Sequence, residues 1–219
     1  MQKKQKVLVI VGPTSSGKSA LAIELAKKFD GEVISADSRQ VYRSLNIGTG
    51  KITKREMKGV RHHLLDIASP KRKFSADDYA RRARASIQDI SSRGKLAVVA
   101  GGTGFYIDAL LGRIVLPNVP PNSAFRRLHN KAAVAELLCM LKKVDPERAK
   151  TIEPGNRRRL IRALEIVQAL GKVPMFDLRG RTYDALWIGI APPLKQLEKK
   201  IAVRLSARMR QGMAAEAKR

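Results

Sequence analysis

Two stretches of the chain hold residue types that chemistry needs. Gly12-Pro13-Thr14-Ser15-Ser16-Gly17-Lys18-Ser19 has the spacing G-x-x-x-x-G-K-S, between the apolar run Val7-Leu8-Val9-Ile10-Val11 and the segment Ala20-Leu21-Ala22-Ile23-Glu24-Leu25. In that spacing backbone N–H groups close around a phosphate, with Gly12 and Gly17 supplying conformations that a Cβ would obstruct. Lys18 adds a point charge and Ser19 a hydroxyl for a phosphate oxygen or Mg²⁺, while the following helix adds its positive dipole end. A strand before and a helix after set the motif apart from an ordinary Gly-rich loop. The second stretch is Asp37-Ser38-Arg39-Gln40. A carboxylate there serves either as general base or Mg²⁺ holder, or as the cap of a following helix, and the sequence leaves both open.

The elements that must position these residues are those of a parallel sheet. A strand over 7–11 and a helix over 18–29 flank the phosphate loop, and Glu32-Val33-Ile34-Ser35-Ala36 is a second short strand ending at Asp37. Residues just beyond the carboxyl ends of such strands line one crevice, so Asp37 is expected to face the phosphate loop. Residues 46–60 read as a loop, and His62-His63-Leu64-Leu65-Asp66-Ile67 as a third buried strand. Adjacent histidines on a strand point to opposite faces, so the pair is read as structural rather than metal-binding. Ser75 caps a helix with Asp77 and Asp78 in its first turn, and Tyr79, Ala83, Ile87 and Ile90 recur at helical spacing toward the sheet.

The next strand, Lys95-Leu96-Ala97-Val98-Val99-Ala100, ends in Gly101-Gly102-Thr103-Gly104. Phosphate-loop hydrolases commonly carry an Asp on a second strand to organise Mg²⁺ and water. Here glycines and a threonine stand instead, which disfavours a motor ATPase or GTPase and leaves Asp37 as the acid nearest the phosphates.

Charge narrows the partners. The 219 residues carry 44 Lys and Arg against 19 Asp and Glu, a formal charge of +25, and 44% are hydrophobic. Such an excess attracts polyanions at long range, nucleic acid above all. A generally basic proteome, or a basic piece of a larger chain, would give the same balance. The single Cys139, in an apolar run, excludes an internal disulfide and reads as a core residue of a reducing, cytoplasmic protein. No apolar run approaches the ~20 residues of a membrane span, so no membrane partner is expected.

Five motifs, in order, identify a family. The phosphate loop, Ala36-Asp37-Ser38-Arg39-Gln40-Val41-Tyr42-Arg43, Asn46-Ile47-Gly48-Thr49-Gly50-Lys51, His62-His63-Leu64-Leu65-Asp66 and Gly101-Gly102-Thr103-Gly104-Phe105-Tyr106 closely resemble tRNA dimethylallyltransferases. The resemblance implies a P-loop NTPase-like α/β fold, a parallel sheet flanked by helices with a small helical insertion. It implies transfer of a dimethylallyl group from dimethylallyl diphosphate to N6 of the adenosine beside the anticodon, tRNA position 37. Gly12 through Ser19 would bind the donor's diphosphate, with Ser19 and Mg²⁺ neutralising the leaving group. Asp37 would take the proton from the amine, Thr103 would lie near the reacting centre, and both, with Ser38, Arg39 and Gln40, would contact the tRNA around the target base.

The resemblance also assigns the C-terminal half. Leu116-Pro117-Asn118-Val119-Pro120-Pro121 marks a boundary, and helices over about 122–142, from Asp145-Pro146, and over about 156–170 follow. The domains expected are a catalytic core over 1–115, a tRNA-binding insertion over 116–155, and a return to the core over 156–219. Arg126 falls on a tRNA-contacting arginine of the family, and Arg158, Arg159, Leu160, Ile161 and Arg162 form a basic cluster assigned to the anticodon arm. Arg158 stands where the family has Gln. Ala185–Ile190 reads as a further buried strand and 194–217 as a helix with Lys200, Arg204 and Arg208 on one stripe; Arg204 is the candidate second diphosphate contact. A monomer is expected. Family members continue past residue 219, so the resemblance implies a chain shortened at its C-terminus. Two other readings keep the motifs: adenylate isopentenyltransfer to a free nucleotide, which needs no basic grip on tRNA, and a non-catalytic RNA-binding remnant. A small-molecule kinase fits the Asp37 and Thr103 motifs poorly.

Overall fold

The computed structural model describes residues 4–174 and 183–218. The chain divides into two compact units, one of Met1–Ile114 with Leu178–Arg219, the other of Val115–Asp177.

The first unit is built on a parallel sheet of order β3-β2-β4-β1-β5. Its strands are β1 (Gln5–Val11), β2 (Gly31–Ser35), β3 (His62–His63), β4 (Leu96–Gly101) and β5 (Tyr183–Gly189); helices α1 (Lys18–Lys28), α2 (Lys54–Met57), α3 (Ala76–Ser92) and α4 (Gly104–Leu110) lie between them in sequence. The central strands read as apolar runs because both faces are covered. On one face Val7, Val9, Ile34 and Val99 pack with Tyr79, Ala83, Ile87 and Ile90 of α3, as the helical spacing required. On the other, Leu8, Ile10, Val33 and Val98 pack with Ala22 and Ala26 of α1. Ser75 caps α3 and forms a reciprocal capping box with Asp78.

Several expectations about this unit change. β3 stops at His63, because Leu64 and Asp66 take left-handed φ of 63° and 55°, which ends the ladder. The stretch 46–60 is not all loop: Thr53 and Glu56 make a capping box that starts α2. β5 is not a buried strand. Among the described residues it pairs only with β1, at the sheet edge, and Leu186 is 68% exposed. The C-terminal helix is two, α9 (Leu194–Arg210) and α10 (Met213–Lys218), parted at Gly212 with φ of 96°.

The second unit contains α5 (Ser123–His129), α6 (Val134–Val144), α7 (Pro146–Thr151) and α8 (Arg157–Leu170). Its core joins Leu137 and Leu141 of α6 to Leu160, Ile161, Leu164 and Val167 of α8. The apolar stripe of α8 is answered by α6, so α8 belongs to this unit, which runs past the expected end at 155. The helix expected over 122–142 is broken, because Ala133 is extended, with ψ of 145°, and starts α6 anew. Cys139 is exposed rather than core, since Leu137 and Leu141 take the buried stripe of α6. Leu160 and Ile161 are likewise core residues, 0% and 6% exposed, so their side chains do not reach an RNA surface.

Candidate active site

The carboxyl ends of β1, β4 and β2 are adjacent, and each delivers one part of the site. From β1 comes the phosphate loop. Gly17 holds a left-handed φ of 98° as it enters α1, and no side chain caps that helix, so its first-turn N–H groups face the loop. Gly12 is needed for a different reason: a Cβ there would stand 2.5 Å from the Ile190 carbonyl oxygen, just past β5. Ser16 Oγ is buried with no hydrogen-bond partner among the described residues. Lys18 Nζ donates to the Pro13 carbonyl at 2.6 Å, across the mouth of the loop. Burial lowers the Lys18 pKa, the Asp37 charge opposes that, and Arg204 adds to it, so both groups lie within electrostatic reach of the loop.

From β2 comes Asp37. Its Oδ1 accepts N–H groups from Arg39 at 2.8 Å and Gln40 at 3.3 Å, holding a turn rather than a helix. The capping reading is met in a turn instead of a helix: one oxygen orders the turn, and the other makes no hydrogen bond among the described residues. From β4 comes Thr103, whose Oγ1 accepts the Ser38 N–H at 3.0 Å while its own N–H donates to the Ala36 carbonyl at 3.1 Å. Gly101 permits this approach, since a Cβ would lie 2.1 Å from the Ala36 oxygen. Thr103 is thus hydrogen-bonded to Ser38, the chain neighbour of Asp37, which brings the ends of β4 and β2 together. Arg204 of α9 closes the set, donating from Nη1 to Ser15 Oγ at 2.9 Å. Lys200, on the same stripe, makes no such contact among the described residues.

His62 and His63 stand apart from this cluster. His62 Nδ1 lies 2.9 Å from the Val60 carbonyl and His63 Nε2 lies 2.7 Å from Glu32, so both are structural. Among the described residues, no group of three or more His, Cys, Asp or Glu could hold a metal ion, and no helix is long and apolar enough to cross a membrane.

The arginines of the second unit divide into two kinds. Arg126 makes a two-pronged pair with Glu165, at 2.7 and 2.8 Å, and Arg162 joins the same carboxylate at 3.1 Å while bonding the Val119 carbonyl at 2.7 Å. Burial pushes the Glu165 pKa up, but the two guanidiniums and the Asn122 N–H outweigh it and hold it below the usual range. Arg158 and Arg159 are exposed, Arg159 pairing with Glu153 at 2.8 Å. Residue spacing on α8 showed a basic face; it could not show that Glu165, on the same helix, lies inside.

Residues 40–219 match the family model described as IPP transferase. The chain belongs to the IPP transferase family. It is 43% identical over 202 residues to the tRNA dimethylallyltransferase of Caldanaerobacter subterraneus subsp. tengcongensis, a match covering 88% of this chain and 64% of that protein. It is 41% identical over 224 residues to that of Bacillus subtilis, covering 99% and 71%. The chain thus spans about two thirds of the length of these curated relatives. Among solved structures, the full-length tRNA isopentenylpyrophosphate transferase of Bacillus halodurans aligns with a TM-score of 0.69 at 39% identity, covering 99% of this chain and 69% of that one. A eukaryotic dimethylallyltransferase acting on tRNA aligns with a TM-score of 0.81 at 28% identity, covering 98% and 55%. The fold is the P-loop NTPase-like one that the motifs implied.

Proposed function

We propose that this IPP transferase moves a dimethylallyl group from dimethylallyl diphosphate to N6 of the adenosine at tRNA position 37. The observation that carries the reading is the cluster of Asp37, Ser38 and Thr103 beside a phosphate loop with no hydrolytic acid on β4. The amine of adenine is a weak nucleophile, its lone pair being delocalised into the ring. Asp37 Oδ2 would accept its proton as the N–C bond forms, while Oδ1 keeps the turn in place. The turn would present Ser38, Arg39 and Gln40 to the nucleotide, which must leave its stack to enter. Lys18, Arg204 and the open amides of α1 would stabilise the charge that develops on the departing diphosphate.

Ser19, at the first turn of α1 and making no hydrogen bond among the described residues, would hold a Mg²⁺ ion. Such an ion would supply further charge neutralisation. In the second unit the exposed Arg158 and Arg159, and the outer edges of Arg126 and Arg162, would lie along the anticodon arm's backbone. A monomer suffices for this chemistry, in the cytoplasm where tRNA is found.

The test is transfer of label from radiolabelled dimethylallyl diphosphate to unmodified tRNA, with AMP as competing acceptor. Label on tRNA, lost in Asp37→Ala and absent from AMP, is the expected result. Label on AMP instead would make the protein an adenylate isopentenyltransferase, and salt-sensitive tRNA binding without transfer would reduce it to an RNA-binding protein.

A further inference from the structure

The loop Asn46–Lys51 plays no part in the chemistry above, yet it is among the most heavily tied segments of the first unit. Lys51 is buried, and its Nζ donates to the Tyr42 carbonyl at 2.7 Å, to Asn46 Oδ1 at 2.9 Å and to the Asp66 carboxylate. Backbone bonds from Gly50 to Ile47 and from Lys51 to Asn46, at 3.0 and 2.9 Å, close the loop on itself. Three consecutive N–H groups, those of Asn46, Ile47 and Gly48, are left pointing outward. All three converge on the carboxylate of Glu216 in α10, with Ile47 and Gly48 each donating to Oε2 at 2.7 Å and Asn46 donating to Oε1.

The helices that supply Arg204 have little else to hold them. Neither α9 nor α10 has a buried residue, and Val203, Leu205 and Met209 are all exposed. Burial of apolar surface, which usually seats a helix, is therefore small here. Among the described residues the polar contacts are Glu216 to the three amides, Arg204 to Ser15 Oγ, and the Arg208 guanidinium lying across Gly50, where a Cβ would overlap it. A hydrogen bond to a charged group is about twice as strong as a neutral one, and Glu216 accepts three.

We propose that Glu216 is a positioning residue for the diphosphate site. By gripping the 46–48 amides it seats the α9–α10 pair so that Arg204 already stands at the phosphate loop when the donor arrives. Without that grip, the ordering of α9 must be met from the binding energy of the diphosphate, and affinity falls. A carboxylate suits the task because it only accepts; a glutamine would turn an NH₂ toward one of the N–H groups. The inference rests on the reading of the phosphate loop as a diphosphate site.

The experiment is calorimetric titration of the protein with inorganic pyrophosphate in the presence of Mg²⁺, on wild type, Glu216→Gln, Arg204→Ala and the double variant. Hydrogen exchange of the Asn46, Ile47 and Gly48 amides is followed in parallel. In Glu216→Gln the three amides should exchange faster, and pyrophosphate affinity should drop about ten-fold, the scale of a charged hydrogen bond. The double variant should bind no more weakly than Arg204→Ala, because Glu216 acts through Arg204. In turnover the loss should appear in KM for dimethylallyl diphosphate, with kcat within about two-fold of wild type. Unchanged pyrophosphate affinity in folded Glu216→Gln, or losses that add in the double variant, would overturn the inference while leaving the diphosphate reading intact. Wild-type protein that does not bind pyrophosphate would overturn both.

Discussion

Asp37 gives one carboxylate oxygen to the N–H groups of Arg39 and Gln40, and the other makes no hydrogen bond among the described residues. Asparagine keeps an acceptor for the turn but cannot take a proton. Asp37→Asn should therefore lower kcat by ~10²–10⁴ while pyrophosphate affinity stays near wild type, separating a base from a mere turn-former. A loss of affinity equal to the loss of rate would mean the residue only shapes the loop. Gly101 tests the same cluster from behind. A methyl group 2.1 Å from the Ala36 backbone oxygen cannot be met by moving a side chain, so β4 must shift from β2. Gly101→Ala should cost about 1–3 kcal/mol in a denaturant titration and loosen the Thr103–Ser38 bond with it. Asp37, Thr103 and the phosphate loop were legible in the sequence because their types and spacing are unusual. Lys51 lay inside the Asn46–Lys51 motif with no role attached to it, and nothing marked Glu216, whose partners are backbone groups in a distant segment.

At the scale of elements, strands and helices were legible wherever an apolar repeat had a single meaning. α3 has five buried residues at helical spacing and an acidic capped start, and β1 and β4 are short apolar runs that end at glycines. The errors fell where the repeat was equally compatible with two outcomes. β5 reads as apolar as β1 but lies at an edge, and α8 carries a stripe that fits a sheet or a helix. The T-x-x-E spacing of Thr53 and Glu56 could have announced α2.

Glu32 shows how one element is pinned to another. Buried on β2, it is held by Arg93 from the end of α3 and by His63 from β3. The Arg93 guanidinium, with lesser help from His63, outweighs burial and brings its pKa down to about 2 from 4.5. A carboxylate whose pKa is lower in the folded state stabilises the protein above its unfolded pKa, and loses that stabilisation as pH falls through the folded value. Glu32→Gln should therefore destabilise the protein by a few kcal/mol at neutral pH. That deficit against wild type should shrink as the pH is lowered from 4.5 toward 2. A deficit that does not change over that range would mean that packing, not charge, sets the contact.

For the whole molecule the net charge of +25 governs how it meets a polyanion, yet its arginines are not equivalent. Arg126 and Arg162 neutralise a buried carboxylate, Arg93 does the same for Glu32, and Arg204 and Arg208 lie on the first unit's loops. Arg158 is exposed and makes no ion pair among the described residues. Each phosphate neutralised by such a group releases counterions, so log affinity for tRNA should fall linearly with log salt, and the slope counts the contacts. Arg158→Ala should flatten that slope by about one and weaken all tRNAs alike, without changing thermal stability. Arg126→Ala should act differently. Removing one partner of a buried charge strands the other, at about 3–5 kcal/mol, so the second unit should lose stability even where no RNA is present. If instead Arg126→Ala left the melting curve unchanged and altered only the salt slope, Glu165 would be satisfied by Arg162 and Asn122 alone, and Arg126 would belong with Arg158 among the groups that bind the polyanion.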